Sequence, residues 1–411
     1  MLLNMNANRW VKLLVILSVI TYLYFIYMSL SLRGYDDDQV FLNIFNSNNI
    51  FEHLLTRFET WSGRFSVELV MTSTIGYSML WKLGVPVSIL ILCVSCNKIA
   101  DLELSSASIA LSFILFASIP ADIHSDASWW ITGFYNYLLP VSAATYTFST
   151  LTKKEASALE KIACILLAFY FPYMEQAGIS FLVATACLII SKGISSSRFE
   201  LLIALIVIIN LTICLAAPGN FNRFVLETWH WYPQYQTYGL TEKIALGFDK
   251  LHQLMTLKFN IPLIAFGVAL FILRSSLGEM CNAIKIAMLV ILTFIALSIA
   301  NSFTDLLYNG AFFSGKTIDA TRWSSMTTYI SYFYVLAVIS SIFIVLIECN
   351  LKRKINSTSI IAMLIGFMTV TMLGFSPTVY ASGFRVDLIF EIMCIISSLS
   401  IWAHINTNKN N

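Results

Sequence analysis

Residues 10–38 read WVKLLVILSVITYLYFIYMSLSLRGYDDD. They begin with an apolar run of about twenty residues, the length that a helix needs to cross the hydrocarbon of a bilayer. The run ends within a few residues of three consecutive acids, Asp36, Asp37 and Asp38, which we call the acidic triplet. Because a carboxylate beside hydrocarbon is costly, its presence there indicates chemistry, binding or solvation. We therefore expect a membrane span that leads directly into a polar loop.

The composition places the whole chain in a membrane. Its 411 residues are 58% hydrophobic and 12% charged, which is about half the charge of an ordinary soluble domain. The formal net charge of +2 and the lack of a long basic run exclude a nucleic-acid partner. The first apolar run has no small-residue cleavage site, so we interpret it as an uncleaved span. The partner that the composition predicts is the lipid bilayer.

Twelve apolar segments have roughly the length of a span, although several are short. They cover residues 10–30, 79–97, 105–120, 138–152, 159–173, 175–191, 200–217, 259–273, 282–300, 325–348, 357–375 and 386–404. Residues 66–82 form an amphipathic helix, interrupted by Gly84 and Pro86 before the second span. It either lies along the interface or extends that span outward. The sequence therefore predicts an all-α polytopic bundle of about 10–12 transmembrane helices. It forms one domain over residues 1–411.

The distribution of lysine and arginine predicts the orientation. Short loops rich in these residues face the cytoplasm, and a cytoplasmic N-terminus puts most of them on that side. Both termini are then cytoplasmic. The outward side receives long loops at about 32–66, 121–137, 218–258 and 301–323, and a short loop at 376–384. Most of the acids lie in or beside these outward loops, so we expect the polar chemistry there.

The first outward loop contains the candidate catalytic acids. Adjacent carboxylates disfavour one another's ionisation, so one member of the acidic triplet is a candidate base near neutral pH. The alternative is an acidic stop that only solvates the end of a span. Glu59, Trp61 and Arg64 follow in the stretch ETWSGR. Such a composition is unusual for a simple connector and favours binding.

Aromatic and amide side chains fill the next two outward loops. Trp130, Asn136 and Tyr137 lie in the second, and Asn220 begins the third. Rings that stack on the apolar face of a sugar, with amides that bond its hydroxyls, are typical of carbohydrate sites. The same aromatics are also typical of the belt at a membrane interface, so both interpretations stay open. We interpret His124 as an interface histidine with satisfied hydrogen bonds.

Four arginines lie where outward loops meet spans: Arg64, Arg223, Arg322 and Arg385. A guanidinium forks onto two oxygens of a phosphate, so the repeated placement favours a bound anion. The alternative is that each side chain extends from a helix end to the interface. Glu175, in a short turn between two spans, either pairs with one of these arginines or binds an acceptor hydroxyl.

Four short motifs resemble one known family. They are the acidic pair that opens the first outward loop, W-S-G-R at 61–64, W-x-x-G-x-x-N-Y at 130–137 and A-P-G-N-x-x-R at 217–223. In this order, with the late arginines, they resemble the bacterial and prophage O-antigen glucosyltransferases of serotype conversion. The resemblance extends over most of the chain. This sequence has three acids where the family pattern has two; the pattern favours Asp36 or Asp37 as the base, and the choice stays open.

That family belongs to the GT-C class, and the resemblance implies a function. A hexose, with glucose the expected sugar, would move with inversion from a polyprenyl-phosphate carrier to a hydroxyl of O-antigen or of another surface or lipid-linked glycan. The site would lie on the periplasmic face of a bacterial inner membrane. A companion flippase and a donor-synthesising enzyme are implied as partners. One acid would take the acceptor proton, and arginines would stabilise the leaving phosphate.

The expected site therefore has three groups of residues. The base is one of Asp36, Asp37 and Asp38; the donor phosphate is bound by Arg64, Arg223, Arg322 and Arg385; the sugar and acceptor are bound by Glu59, Trp61, Trp130, Asn136, Tyr137, Glu175 and Asn220. No metal or cofactor is expected, because guanidinium groups neutralise the phosphate. The C-V-S-C spacing at 93–96 lacks further ligands.

Two other classes of protein stay open. One is a transporter or flippase of lipid-linked sugar, and the other is an O-antigen polymerase, which also uses outward arginines. A transporter is expected to place charges or broken helices near the membrane midplane. Here the acids lie at the outward ends of the spans, which favours the enzyme.

Overall fold

The structure is a computed structural model that describes residues 2–47, 49–274, 278, 280–303 and 326–410. Within these ranges the chain is helical and contains no strand. In an α-helix the backbone N–H and C=O groups hydrogen-bond to one another. A chain in hydrocarbon requires this, because no water is available to bond those groups. The all-α prediction is confirmed for this part of the chain. Arg322 and most of the predicted outward loop 301–323 lie outside the described residues.

Nineteen α-helices lie in the described ranges. They are α1 Leu2–Ser29, α2 Asp37–Ser47, α3 Ile50–Thr60, α4 Phe65–Thr74, α5 Ser78–Ile99, α6 Ser106–Ala117, α7 Ala121–Ala127, α8 Ile131–Gly133, α9 Leu139–Leu151, α10 Ala158–Leu167, α11 Glu175–Lys192, α12 Arg198–Leu215, α13 Pro218–Trp231, α14 Leu240–Thr256, α15 Ile261–Leu273, α16 Asn282–Phe303, α17 Met326–Leu351, α18 Thr358–Thr371 and α19 Leu388–Asn410. A π-helical segment, Phe134–Leu138, joins α8 to α9.

Eight of these helices contain a stretch that is long and apolar enough to cross a membrane: α1, α5, α11, α12, α16, α17, α18 and α19. Two more pass the same test only as bent pairs, α6 with α7 at 88° and α14 with α15 at 78°. The described part of the chain therefore has eight crossing helices, or ten if each bent pair crosses. A polytopic membrane protein is confirmed, with a helix count at or below the low end of the predicted range.

Two of the twelve predicted spans pass this test neither alone nor as part of a bent pair. α9, predicted at 138–152, has 13 residues, and α10, predicted at 159–173, has 10. Hydrocarbon requires about 20 helical residues. α9 continues from α8 and the π segment without a break, so residues 131–151 form one helical run that is mostly buried. The predicted span at 138–152 therefore lies within a longer helical run that starts inside the predicted second outward loop.

The predicted interruption at Gly84 and Pro86 is wrong. α5 continues through both residues, and the helical chain is interrupted at 75–77 instead. A proline costs a helix one hydrogen bond, but packing holds this one, since Val85 beside it is fully buried. Trp81 Nε1 donates to Ile75 O at 3.0 Å and ties the start of α5 to the real break. α4 is thus a separate short helix between the predicted first outward loop and α5.

α19 lies at the centre of the bundle. Over its spanning window 78% of its residues are buried, and it packs against α5, α15 and α18. An apolar helix of this kind is stable when it is enclosed. A 3-10 segment, Arg385–Asp387, leads into α19 and packs against α7. This contact brings Arg385 to the end of the bundle that carries the predicted outward loops, which we call the loop end.

Candidate functional site

The first and third predicted loops interlock at residues 61–64 and 217–220, which we call the loop clasp. Asn220 Oδ1 accepts a hydrogen bond from Gly63 N at 3.1 Å. Asn220 Nδ2 donates to Cys214 O at 2.6 Å. The amide of Asn220, which the sequence assigned to the acceptor, is therefore engaged between two pieces of backbone. Two of the resemblance motifs meet in this contact.

Glycine allows the backbones of the loop clasp to approach so closely. A Cβ on Gly219 would lie 2.4 Å from Trp61 N, a distance that no real side chain tolerates, so any larger residue would push the loops apart. Asn222 Nδ2 also donates to Glu59 O at 3.1 Å. The side chain of Glu59 is exposed. α13 and α3 therefore form one packed unit at the loop end.

Arg64, the last residue of the clasp, joins three helices. Its Nη2 and Nε lie 2.9 and 3.4 Å from the two oxygens of Glu175, the first residue of α11. Its Nη1 donates to Asn136 Oδ1 at 3.3 Å, and Asn136 Nδ2 donates to Thr132 O at 2.9 Å. Burial disfavours the charged form of Arg64 and lowers its pKa. The negative charge of Glu175 favours the charged form more strongly, so the pKa of Arg64 stays above its usual value. Glu175 thus pairs with one of the predicted arginines.

Arg223 lies beside this pair and is less firmly held. Its guanidinium is 5.5 Å from the centre of the Trp61 ring, and its Nε is 3.5 Å from Glu227 Oε1. Burial and the neighbouring Arg64 lower the pKa of Arg223. Two guanidinium groups in one region repel each other, so an anion bound between or beside them would relieve that repulsion.

Among the predicted arginines that the structure describes, Arg385 has the fewest protein partners. Its guanidinium lies 5.3 Å from the Trp130 ring and 5.9 Å from the Tyr137 ring. Within the described ranges it has no carboxylate within 4 Å. Its Nε and the Nε1 of Trp130 are buried donors without an acceptor. Such donors are expensive to leave unbonded, so a ligand that accepts from both is favoured here.

Arg33 is a site residue that the sequence analysis missed. Its guanidinium lies 5.1 Å from the Trp130 ring, and its Nη2 donates to Ser125 O at 2.9 Å and to Asp126 Oδ1 at 3.1 Å. Its Nη1 is 3.9 Å from Asp36 Oδ2. The signal was an arginine directly before the acidic triplet.

The acidic triplet divides into one structural acid and two available acids. Asp38 is fully buried. It accepts from Thr132 N at 2.9 Å, from Thr132 Oγ1 at 2.6 Å and from Arg33 N at 2.9 Å. Asp36 and Asp37 are exposed. Asp38 therefore ties the first loop to the start of α8, and the carboxylates of Asp36 and Asp37 face solvent.

A second group of charges lies near the site, formed by Asp122, Lys250, Lys258 and Asp387, which we call the ion cluster. Lys250 Nζ is 3.7 Å from Asp387 Oδ2 and donates to Gly383 O at 2.7 Å. Lys258 pairs with Asp122. Lys250 and Asp387 are both buried. The cluster lies at both bent helix pairs and at the 3-10 segment that contains Arg385.

Glu391 extends the polar region one turn into α19. It is fully buried, and its Oε1 accepts from Asn260 Nδ2, while its Oε2 has no partner. Asn260 also caps α15 through its own oxygen, which accepts from Leu263 N at 2.9 Å. Sequence reasoning missed these residues because each stands alone in an apolar helix, and their partners are more than a hundred residues away.

His124 has the role that the sequence predicted for it. It is buried, its Nδ1 lies 3.1 Å from Ser128 Oγ, and its Nε2 lies 2.8 Å from Phe116 O. Both ring nitrogens are engaged between α6 and α7. His124 therefore stabilises the bend of this helix pair.

An apolar cavity of about 440 Å³ runs between α9, α11, α18 and α19. Ala177 and Val141 line it near the loop end. Ala177 lies two residues after Glu175 in α11, and Val141 lies four residues after Tyr137. Other lining residues extend to Ser191, near the opposite end of α11. The cavity thus follows α11 from the neighbourhood of Arg64 through much of the bundle.

The chain matches no model of a known protein family, no curated protein and no solved structure. Within the described residues no group of three or more His, Cys, Asp or Glu side chains is arranged to hold a metal ion. The fold defines the class, a polytopic α-helical membrane protein. What it does has to be argued from the site itself.

Proposed function

We propose that the protein is an inverting GT-C-type glycosyltransferase of a bacterial inner membrane. It takes a hexose, with glucose the expected sugar, from a polyprenyl-phosphate carrier and places it on a hydroxyl of O-antigen or of another surface or lipid-linked glycan. The observation that carries the proposal is the meeting of motifs that lie far apart in the sequence. Gly63 and Asn220 bond in the loop clasp, and Arg64 beside them bonds Asn136.

The phosphate of the donor is bound by Arg385, with Arg223 as a second contact. Arg385 has unsatisfied donors and two aromatic neighbours, whereas Arg64 is neutralised by Glu175. As the bond from the sugar to the phosphate breaks, negative charge grows on the phosphate oxygen. Fixed guanidinium groups stabilise that charge without having to reorganise. Arg64 then acts as a positioning residue.

Asp36 or Asp37 is the base. The acceptor hydroxyl attacks the anomeric carbon, its proton passes to the carboxylate, and the phosphate leaves with the electron pair of the broken bond. One displacement of this kind inverts the anomeric centre through an oxocarbenium-like transition state. Both acids are exposed and therefore accessible to an acceptor from the aqueous side. Trp130 and Tyr137 supply rings on which a sugar stacks.

The apolar cavity supports a lipid-linked donor. A ligand with an anionic head and a long apolar tail needs a cationic site beside an apolar channel. The cavity reaches Ala177, two residues along α11 from Glu175, the partner of Arg64, and its lining is mainly aliphatic and aromatic. Part of an isoprenoid chain would lie there while its phosphate stays at the loop end.

A comparison of surface polysaccharide tests the proposal. The host is analysed without the protein, with the wild type, and with Arg385→Ala or the control Glu103→Gln, whose carboxylate is exposed outside the site. The wild type and the control are expected to add a hexose branch, and Arg385→Ala to lose it at equal expression. An unchanged polysaccharide in all four strains would remove the basis for the proposal.

A transporter of lipid-linked sugar is a second candidate, and one observation favours it. Two bent helix pairs meet at the buried Lys250–Asp387 pair, which is the kind of broken-helix charge site that transporters use. The ion cluster, however, lies beside Arg385 at the loop end, only a few residues from the start of α19. A transporter is expected to place such charges near the membrane midplane instead. A transporter would move the donor across the bilayer with its sugar still attached.

A further inference from the structure

α13 is amphipathic, but its polar face is half-buried and its apolar face is exposed, the reverse of a helix at the surface of a soluble protein. Its half-buried residues Asn220, Arg223 and Glu227 are polar and lie on the side that packs against α3. Most of its exposed residues are large and apolar: Phe221 is 66% exposed, Leu226 58%, Trp229 65% and Trp231 54%. Asn222 and His230 are the exposed polar side chains of this helix. A helix at an aqueous surface normally buries its apolar stripe and exposes its polar one. The outer face of α13 therefore requires an apolar environment.

The exposed face of α13 continues the surface of a membrane span. α12 ends at Leu215, and α13 begins at Pro218, so only two alanines separate them. α12 exposes Ile209, Ile213 and Leu215 near its end. This apolar surface passes from the span onto α13 without a charged residue between them. The start of α13 therefore lies close to the end of a span.

The composition of the exposed face is that of a membrane interface. Tryptophan is enriched where hydrocarbon meets headgroups, because its ring is apolar and its N–H is polar. Helices that lie in this zone bury aromatic and leucine side chains on one face and keep polar residues on the other. Adjacent α3 adds Phe51 and Leu55, which are 70% and 58% exposed. Together they form a continuous apolar platform at the loop end.

We propose that α13 lies in the headgroup zone of the bilayer, with its apolar face in lipid and its polar edge forming one wall of the arginine site. The occupant of the apolar platform is therefore the lipid bilayer itself. Arg223 then lies at the depth of lipid phosphates, and an anionic lipid reaches the site sideways along α13. The position of α13 does not depend on the proposed sugar transfer, so either idea stands if the other fails.

Photolabelling by lipid probes tests this placement without any substitution. Purified wild-type protein is placed in liposomes that contain a phospholipid with a photoactivatable group beside its phosphate or, separately, at the end of an acyl chain. The phosphate-level probe is expected to label Phe221 and Trp229. The chain-end probe is expected to label α12 at Ile209. The control segment Pro233–Thr237, which follows α13 but carries Gln234 and Gln236, is expected to remain unlabelled.

Three outcomes would overturn the proposal. They are no lipid label on α13, label from the chain-end probe alone, or protein cross-links in place of lipid adducts, which would mean that a second copy or another protein covers the face. The variant Leu226→Glu adds a matched comparison, because its side chain is 58% exposed on the apolar face. It should lower the phosphate-level labelling of α13 several-fold, while Gln236→Glu leaves it unchanged. Equal labelling in both variants would also contradict the placement.

Discussion

At the scale of single residues, neighbours in sequence have different roles in the structure. Asp36, Asp37 and Asp38 are indistinguishable as a sequence pattern, yet only Asp38 turns inward and accepts from both Arg33 and Thr132. The sequence could predict that the acids matter but not which one is structural. That choice depends on Thr132, which lies 94 residues away.

Asp38→Asn is expected to destabilise the protein. An asparagine keeps one oxygen and places an NH2 group against a backbone donor of Arg33 or Thr132, leaving a buried donor unsatisfied. The cost is about 1–3 kcal/mol, visible as a lower Tm in detergent. Asp37→Asn, at an exposed position, is the matched control and should leave Tm unchanged. Equal Tm values for both variants would show that the Asp38 contacts contribute nothing.

The arginines are also unequal, which gives a second prediction. Arg385→Lys keeps the charge but cannot fork onto two oxygens, so the Kd for a polyprenyl-phosphate hexose should rise about tenfold or more. Arg64→Lys should instead lower Tm, because it breaks the two-point contact with Glu175. Arg198→Lys, exposed at the start of α12, controls for a general effect on binding. Unchanged donor affinity in Arg385→Lys would remove Arg385 from the phosphate site.

At the scale of helices and loops, the site depends on contacts between segments that the sequence shows only as separate motifs. The motifs at 61–64, 130–137 and 217–223 could be found from their residue types. Their meeting through Gly63, Asn220 and Asn136 could not, because a hydrogen bond between distant residues leaves no local signal. The start of the helical run 131–151 was missed as well, because its first residues are aromatic and polar and were assigned to an outward loop, while the span was predicted at 138–152.

Gly219→Ala is expected to open the loop clasp. Its Cβ would lie 2.4 Å from Trp61 N, so α13 has to move away from α3. Crowding of this kind costs about 1–3 kcal/mol, and sugar transfer should fall with the loss of Tm, because Arg64 and Arg223 flank the clasp. Gly34→Ala is the matched control, since nothing lies within 4 Å of the added carbon. If both variants behave alike, the close approach at Gly219 has no role.

At the scale of the whole molecule, composition predicted the class and the lysine and arginine pattern predicted the orientation. The class is confirmed by the crossing helices, and the orientation stays a prediction. The ion cluster shows the limit of such reasoning. Asp122, Lys250 and Asp387 stand on three separate elements, and no count of charge per loop reveals that they meet.

Cysteine labelling tests the orientation. Asp37 and Arg353 are both exposed, so Asp37→Cys and Arg353→Cys present reactive thiols to solvent. In a background with Cys281→Ser, which removes the exposed natural thiol, an impermeant reagent added outside intact cells should label position 37 and not position 353. Label at position 353 alone would invert the topology.

Sugar transfer by purified protein in liposomes tests the central claim most directly. The sugar of a polyprenyl-phosphate hexose is labelled, and an acceptor glycan is supplied. We expect the label on the acceptor in an inverted linkage. The substitution of the base, Asp36→Asn or Asp37→Asn, should lower the transfer rate on the order of 100-fold. The control Glu103→Gln should keep the wild-type rate. Near wild-type transfer by both single variants and by the double variant would contradict the base mechanism. Movement of intact donor across the bilayer without sugar transfer would contradict the proposal that the protein is a glycosyltransferase.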